Sequence, residues 1–144
     1  YSLAKKETLL IDPKDKSSFS YVNRAAIPTH RKFFNIQQKK QVIKNKWSKF
    51  FQNWDILLYP NTASTAIHHD QDLPRHKRTI LVNGKEGNYN DQLFWPGLAI
   101  DSYLPSTGFP ICLFKNGLPI GIQAIGPLLH DLDTIKFAEM MELS

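Results

Sequence analysis

The chain has 144 residues, which fits one ordinary domain and excludes a multidomain machine. Hydrophobic residues make up 42% of it and charged residues 22%, a composition that excludes a disordered tail and a coiled coil and predicts a packed core. The formal net charge is +5, and twelve of the 18 Lys and Arg residues lie within residues 1–50.

The pattern of apolar residues and cysteines predicts a cytoplasmic protein. No segment approaches the roughly 18 consecutive apolar residues of a membrane span, and the N-terminus lacks the apolar stretch of a signal peptide. Cys112 is the single cysteine, so an intrachain disulfide and a thiolate-rich zinc site are excluded, and its apolar neighbours predict that it lies in the core. The chain begins at Tyr1 without an initiator methionine, which we interpret as a processed chain or a piece of a longer one.

The first third of the chain is expected to contain loops followed by one long helix. Residues 1–34 show little periodicity and predict loops with at most one short helix. From Asn35 to Trp54 the pattern is that of an amphipathic helix, with Asn35 and Gln38 resembling a capping box at its start. The predicted core-facing stripe consists of Ile36, Ile43, Trp47, Phe50 and Trp54, and the predicted solvated face carries Lys39, Lys40, Lys44, Lys46 and Lys49.

The middle of the chain gives weaker signals. Asp55 to Tyr59 is a short apolar run stopped by Pro60, which predicts a buried strand. Residues 61–90 show no period, so we expect a functional loop, a covering loop or a segment ordered by outside contacts. For Asp91 to Leu104 we expect a short helix interrupted by Pro96-Gly97.

The last third predicts a hairpin and a helix. Pro110–Phe114 and Leu118–Gly126 flank the turn Lys115-Asn116-Gly117, in which Asn-Gly favours positive φ angles. Both arms are apolar on both faces, so we expect a larger sheet to bury them. Asp131 is the predicted cap of a final helix that carries Leu132, Ile135, Ala138 and Met141 on neighbouring faces.

Several of these segments together resemble one family. They are Trp47 to Pro60 (WSKFFQNWDILLYP), the hairpin (TGFPICLFKNGLPIGIQAIGP), the last helix (HDLDTIKFAEMM), Thr29-His30-Arg31, and Tyr89 to Trp95. In order and spacing they resemble the C-terminal region of amidase signature enzymes, which are serine hydrolases of amide bonds. The resemblance implies an α/β fold with mixed β-sheet strands flanked by helices. Residues 1–144 would be a single domain or the C-terminal piece of an amidase domain, with a basic loop-rich segment at 1–34 and the family-like region at 35–144.

The resemblance also defines what this chain lacks. The family uses a nucleophilic serine, a second serine bound through a cis peptide and a lysine, in a glycine- and serine-rich segment upstream of the region matched here. This chain has no such segment. Ser17-Ser18, with Lys14 and Lys16 nearby, resembles a triad superficially but lacks the glycines of an oxyanion hole, so we interpret it as a solvated loop. We expect no catalytic residue in this chain, which alone would be inactive.

The expected substrate-pocket residues are aromatic. Tyr89, Phe94 and Trp95 lie outside the helix stripe, and we expect them to face an acyl or leaving-group pocket, since such pockets are mostly apolar. Ordinary core packing is the alternative for all three.

Two polar clusters could suggest other chemistry. His68-His69-Asp70, Asp72 and His76 have the residue types of a metal site but no known ligand spacing, which favours a polar loop. Residues 83–87 contain Asn-Gly-Lys-Glu-Gly but lack the glycine spacing and Lys-Ser/Thr pair of a phosphate-binding loop. We therefore expect neither a metal nor another cofactor.

Three functional hypotheses remain. The first is an amidase that transfers the acyl group of a small-molecule amide to a serine outside this chain, with these residues supplying sheet strands and pocket walls. The second is a non-catalytic stand-alone remnant that acts as a binding or assembly module. The third, binding of nucleic acid or another acidic partner through the basic first third, is disfavoured because the lysines fit a solvated helix face. The oligomeric state stays open, a homodimer included.

Overall fold

A computed structural model describes residues 6, 9–12, 14–15 and 17–142. The chain divides into two compact units, residues 1–41 and residues 42–144, and the boundary falls within one helix. None of the described helices is long and apolar enough to cross a membrane.

The first unit contains a short capped helix, as predicted for residues 1–34. Helix α1 spans Ser18–Ala25, and the Ser17 hydroxyl accepts a hydrogen bond from the backbone N–H of Ser20 at 3.2 Å. Arg24 donates to the backbone carbonyl of Asp15 at 2.6 Å. The bond from Arg24 holds Asp15 near the last turn of the helix.

The long helix begins earlier than predicted. Helix α2 spans His30–Phe50, because the Thr29 hydroxyl accepts from the Lys32 N–H at 3.3 Å and so caps its first turn. The predicted start at Asn35 is therefore wrong, since Asn35 lies in the helix interior. The helix ends at Phe50, before the predicted end at Trp54. The N–H groups of Gln52 and Asn53 donate to carbonyls three residues earlier, so this part of the chain forms a turn.

The apolar stripe of α2 does not face a core among the described residues. No residue of the helix is buried, and Ile36 and Ile43 are 47% and 41% exposed. The predicted core-facing stripe is wrong in this respect, because helical periodicity fixes which side chains share a face but not whether another element covers it. On the predicted solvated face, the Lys44 ammonium lies 4.4 Å from the centre of the Tyr103 ring, a cation–π contact.

The second unit is built around a three-stranded antiparallel sheet. Its strands are β1 (Leu57–Pro60), β4 (Ser106–Leu113) and β5 (Pro119–Ile125), in the order β1-β5-β4. The central strand β5 supplies the most buried residues, Ala124 and Ile125. With its helices, this sheet confirms the predicted α/β class.

The two strands beside β5 are less buried than the sequence predicts. Leu58 on β1 is 47% exposed, and Ile111 and Leu113 on β4 are 48% and 71% exposed. Cys112 is exposed as well, just after an irregularity in the β4–β5 register, so its predicted core position is wrong. Both strands lie at sheet edges among the described residues, and apolar composition alone does not reveal which strand becomes central.

The predicted hairpin is confirmed with a different turn geometry. Gly117 has a φ of 79°, whereas Asn116 is not among the residues with positive φ. The Gly117 N–H donates to the Phe114 carbonyl at 2.8 Å, and the Phe114 N–H donates to the Leu118 carbonyl at 2.7 Å. This pattern is typical of a three-residue loop with glycine in the left-handed region at its end.

A second hairpin lies where no regular structure was expected. Strands β2 (Thr79–Val82) and β3 (Lys85–Asn88) pair antiparallel across Asn83 and Gly84, whose φ angles are 51° and 76°. A short 3₁₀ helix, Arg75–Lys77, precedes them. The signal in the sequence is the Asn-Gly pair after a β-branched, apolar run.

Helix α3 spans Phe94–Ile100 and directly follows a 3₁₀ helix, Tyr89–Leu93. We predicted that Pro96-Gly97 interrupts this helix, and this is wrong, since both residues lie inside α3. The proline occupies the first turn of the helix, where a backbone N–H has no partner within the helix, so its missing N–H costs no hydrogen bond.

Helix α4 (Asp131–Glu142) packs on β4 through a polar and an aromatic contact. The Thr134 hydroxyl donates to the Asp131 carbonyl at 2.8 Å, so the 2.8 Å bond between the Thr107 and Thr134 hydroxyls must have Thr107 as its donor. The Phe109 and Phe137 rings meet edge to face at 6.1 Å. The predicted cap, Asp131, is itself the first helical residue, and of the predicted apolar set Leu132, Ile135 and Met141 are exposed.

Candidate functional site

One buried amide ties together the elements around β5. Gln123 is 5% exposed, and its Nε2 donates to the carbonyls of Pro60 at 2.8 Å and Trp95 at 3.1 Å. Its Oε1 accepts from the Ser106 hydroxyl at 2.8 Å. This contact network was not predicted, although a lone glutamine in the otherwise apolar strand PIGIQAI was a usable signal.

The network places α3 over one face of the sheet. Trp95, whose carbonyl accepts from Gln123, also contacts the Tyr59 ring, with 5.4 Å between the ring centres. Tyr59 is directly opposite Gln123 in the β1–β5 register, so the two side chains share that face. Thr107 and Phe109 contact α4, which therefore packs on the opposite face.

Two of the predicted pocket residues, Phe94 and Trp95, lie in one cleft of about 530 Å³. Their rings meet edge to face at 5.6 Å. Phe94 is 65% exposed, whereas Trp95 is half-buried. We call this space the Trp95 cleft; its lining also includes the charged residues Lys85, Glu86 and Asp91.

The third predicted pocket residue, Tyr89, lies in a different cleft of about 650 Å³. This Tyr89 cleft is lined on its polar side by His68, His69, Asp70 and Arg78. The Arg75 guanidinium lies 5.9 Å from the Tyr89 ring centre. The structure thus brings Phe94 and Trp95 together and separates Tyr89 from them.

A further cleft of about 870 Å³, which was not predicted, opens between β4, β5 and the segment after β1. We call it the Asn61 cleft. Asn61 follows Pro60 directly and contributes its side-chain amide, while Phe114 and Pro119 contribute apolar surface. The described residues that line it are all uncharged, whereas each of the other two clefts is lined by charged residues as well.

The serines that superficially resemble a catalytic pair lie elsewhere. The Ser17 hydroxyl caps α1 and donates to the Asp15 carboxylate at 3.0 Å. Hydrogen bonds from the backbone N–H and the hydroxyl of Ser17 hold the pKa of Asp15 below its ordinary value. This geometry gives Ser17 a structural role; the side chain of Ser18 and all of Lys16 lie outside the described residues.

The histidine-rich segment forms local contacts. The Asp70 carboxylate accepts from the Leu73 N–H at 3.2 Å, and His69 Nδ1 lies 3.4 Å from Gln71 Nε2. Within residues 6, 9–12, 14–15 and 17–142, no group of three or more His, Cys, Asp and Glu side chains is arranged to hold a metal ion.

Known proteins resemble the chain in sequence. The family model described as Amidase matches residues 17–135. A mitochondrial glutamyl-tRNA(Gln) amidotransferase subunit of Bos taurus is 28% identical over 111 residues, which are 76% of this chain and 20% of that protein. The corresponding subunit of Listeria monocytogenes serotype 4a is 26% identical over 106 residues, 74% of this chain and 20% of that protein. The chain therefore spans about a fifth of the length of these relatives.

Solved structures resemble it in fold. A bacterial aryl acylamidase of the amidase signature family superposes with a TM-score of 0.66 at 22% identity, over 98% of this chain and 30% of that one. Another amidase gives a TM-score of 0.66 at 15% identity, over 99% of this chain and 31% of that one. Since the family model covers most of the residues, the chain belongs to the amidase family.

Proposed function

We propose that this chain is part of an amidase that hydrolyses a carboxamide C–N bond by acyl transfer to a serine outside residues 1–144. The observation that carries the proposal is the family match over residues 17–135. The fold likeness to an aryl acylamidase and another amidase supports it. Here the residues of this chain supply sheet strands and pocket walls.

The proposed reaction follows the family's Ser-cisSer-Lys chemistry. A neutral lysine in a desolvated site takes the proton of the nucleophilic serine through the bridging serine. The serine oxygen bonds to the amide carbonyl carbon, the C–N bond breaks, and the leaving amine takes up a proton. Water then hydrolyses the ester, which releases the acid and restores the serine.

Within this proposal, Tyr89, Phe94 and Trp95 serve as pocket walls. Phe94 is suited to this role, because its ring is largely exposed and lines the Trp95 cleft. Exposed aromatic surface in a concave site is available to cover an acyl or leaving group. Tyr89 would act separately, since it lines the other cleft.

The catalytic part of the proposal is tested on the native protein isolated from its source. Peptide mapping by mass spectrometry should find residues covalently upstream of Tyr1, and a fluorophosphonate probe should label a serine among them. Heat-denatured protein is the control for nonspecific labelling. A native terminus at Tyr1 without labelling would contradict the proposal and favour a non-catalytic binding module.

The pocket-wall part is tested by a Phe94→Ala variant of the native-length protein. The variant removes the aromatic ring that would cover the bound substrate. KM should therefore rise about tenfold, which corresponds to a loss of about 1.4 kcal/mol in binding free energy. Leu113→Ala is the matched control, because Leu113 is 71% exposed and lines none of the three clefts. Equal KM values in the two variants would remove Phe94 from the proposed pocket.

A further inference from the structure

We infer that the Asn61 cleft binds the neutral carboxamide group of a ligand and that the side-chain amide of Asn61 is its polar contact. The inference rests on the proposed function for the identification of that ligand as the substrate. It assigns specificity for amides to a part of the chain that contains none of the predicted pocket residues.

The Asn61 amide lies against two glycines. A Cβ atom added to Gly121 would lie 2.8 Å from Asn61 Nδ2, and one added to Gly108 would lie 3.3 Å from it. The two glycines therefore form the floor against which the amide lies, and a side chain at either position would press against it. Gly121 is two residues from Gln123 on β5, so the Asn61 amide lies on the same sheet face as the Gln123 side chain.

The amide of Asn61 is available to a ligand. It makes no hydrogen bond to any residue that the structure describes, and the residue is half-buried at the wall of an open cleft. An asparagine amide has donors and an acceptor that need partners, so water or a ligand must satisfy them. Its Nδ2 can donate to a ligand carbonyl while its Oδ1 accepts from a ligand N–H, and a carboxamide supplies both.

The surroundings select a neutral ligand. None of the described residues that line the cleft is charged, so these residues would give a bound carboxylate or ammonium no countercharge for its lost hydration. The apolar surfaces of Phe114, Pro119 and Ile120 can cover an apolar or aromatic substituent. The cleft should therefore hold an apolar amide and release the corresponding acid.

The test measures binding by isothermal titration calorimetry with the native-length protein, in which any serine labelled by the fluorophosphonate is replaced by alanine so that phenylacetamide binds without being hydrolysed. The probes are phenylacetamide, which carries the carbonyl and N–H groups, phenylacetate, which is charged, and N,N-dimethylphenylacetamide, which lacks an N–H. We expect phenylacetamide to bind most tightly, and Asn61→Ala to raise its Kd about tenfold, as expected for the loss of one to two neutral hydrogen bonds. In the Asn61→Ala variant, the ratio between the Kd values of N,N-dimethylphenylacetamide and phenylacetamide should also become smaller.

Two further variants separate the role of Asn61 from general damage. Gly108→Ala should also weaken phenylacetamide binding, because the three atoms nearest to the added methyl group all belong to the Asn61 amide, which must shift. Asn53→Ala is the control, since Asn53 is an exposed asparagine that lines none of the three clefts. The Kd of the Asn53→Ala variant for phenylacetamide should equal that of the unmodified protein.

The possible results are distinct. An unchanged Kd in Asn61→Ala, equal affinity for phenylacetate and phenylacetamide, or no binding of phenylacetamide would each overturn the inference. If a serine is nevertheless labelled by the fluorophosphonate, the proposed amidase function survives that failure. If binding depends on Asn61 but no serine is labelled, the amide site stands and the catalytic proposal fails.

Discussion

Two amide side chains lie on the same face of the β1-β5-β4 sheet and have opposite surroundings. Gln123 is buried, and its donors and acceptor are engaged by two carbonyls and one hydroxyl. Asn61 rests on two glycines at the wall of an open cleft and has no hydrogen-bond partner among the described residues. The side-chain amide of Gln123 therefore joins neighbouring elements through hydrogen bonds, whereas the side-chain amide of Asn61 stays available to water or a ligand.

The largest expected effect comes from Gln123→Ala. It removes three partly buried hydrogen bonds, to two backbone carbonyls and the Ser106 hydroxyl, together with the buried Gln123 side chain, which should lower the unfolding free energy by about 3 kcal/mol. Thermal and urea unfolding of the native-length protein measure this loss. Ser106→Ala, which removes one of the bonds, should cost about 1 kcal/mol; equal costs for the two variants would contradict a joining role for Gln123.

A smaller effect is expected at the junction between β5 and α4. A Cβ added to Gly126 would lie 2.7 Å from Cγ2 of Thr134, whose side chain is buried and held by hydrogen bonds to Thr107 and Asp131. Gly126→Ala should therefore destabilise the protein by roughly 1–3 kcal/mol, because α4 must shift.

The matched control for this junction is Gly87→Ala. Nothing lies within 4 Å of a Cβ at Gly87, so its thermal midpoint should stay near that of the unmodified protein. Equal thermal midpoints for Gly126→Ala and Gly87→Ala would show that α4 is not closely packed against β5 at Thr134.

The smallest effect on stability is expected from Asn61→Ala. Since the amide makes no hydrogen bond to a described residue, its removal should change the unfolding free energy by less than about 0.5 kcal/mol. The same unfolding measurement checks this value, with Gln123→Ala as the direct comparison. A loss as large as that of Gln123→Ala would mean that Asn61 supports the fold and would end the contrast between the two amides.

The sequence predicted the helices and strands better than it predicted which of their side chains are buried. The hairpin of β4 and β5 and the final helix follow from local patterns, since turn chemistry and periodicity act over a few residues. The β2–β3 hairpin was missed because the Asn83-Gly84 pair was not given weight as a turn. The burial of Cys112 and of the α2 stripe was predicted wrongly, because burial depends on which distant elements pack there.

The candidate site shows the same division. Phe94 and Trp95 share a cleft, as residues adjacent in sequence readily do, while Tyr89 faces another. Asn61 gave no signal, because its significance depends on two glycines that are distant in sequence and adjacent across β4 and β5.

By itself, the sequence determined the family and the α/β class, through the resemblance of several segments to amidase signature enzymes. It also determined most of the helices and strands, because these depend on local periodicity and turn residues. Only the tertiary structure decided that β5 is central, that Gln123 joins its neighbours and that Asn61 lies over Gly108 and Gly121 in an uncharged cleft. Strand order, burial and hydrogen-bond partners arise from contacts between residues far apart in the chain, which no local pattern encodes.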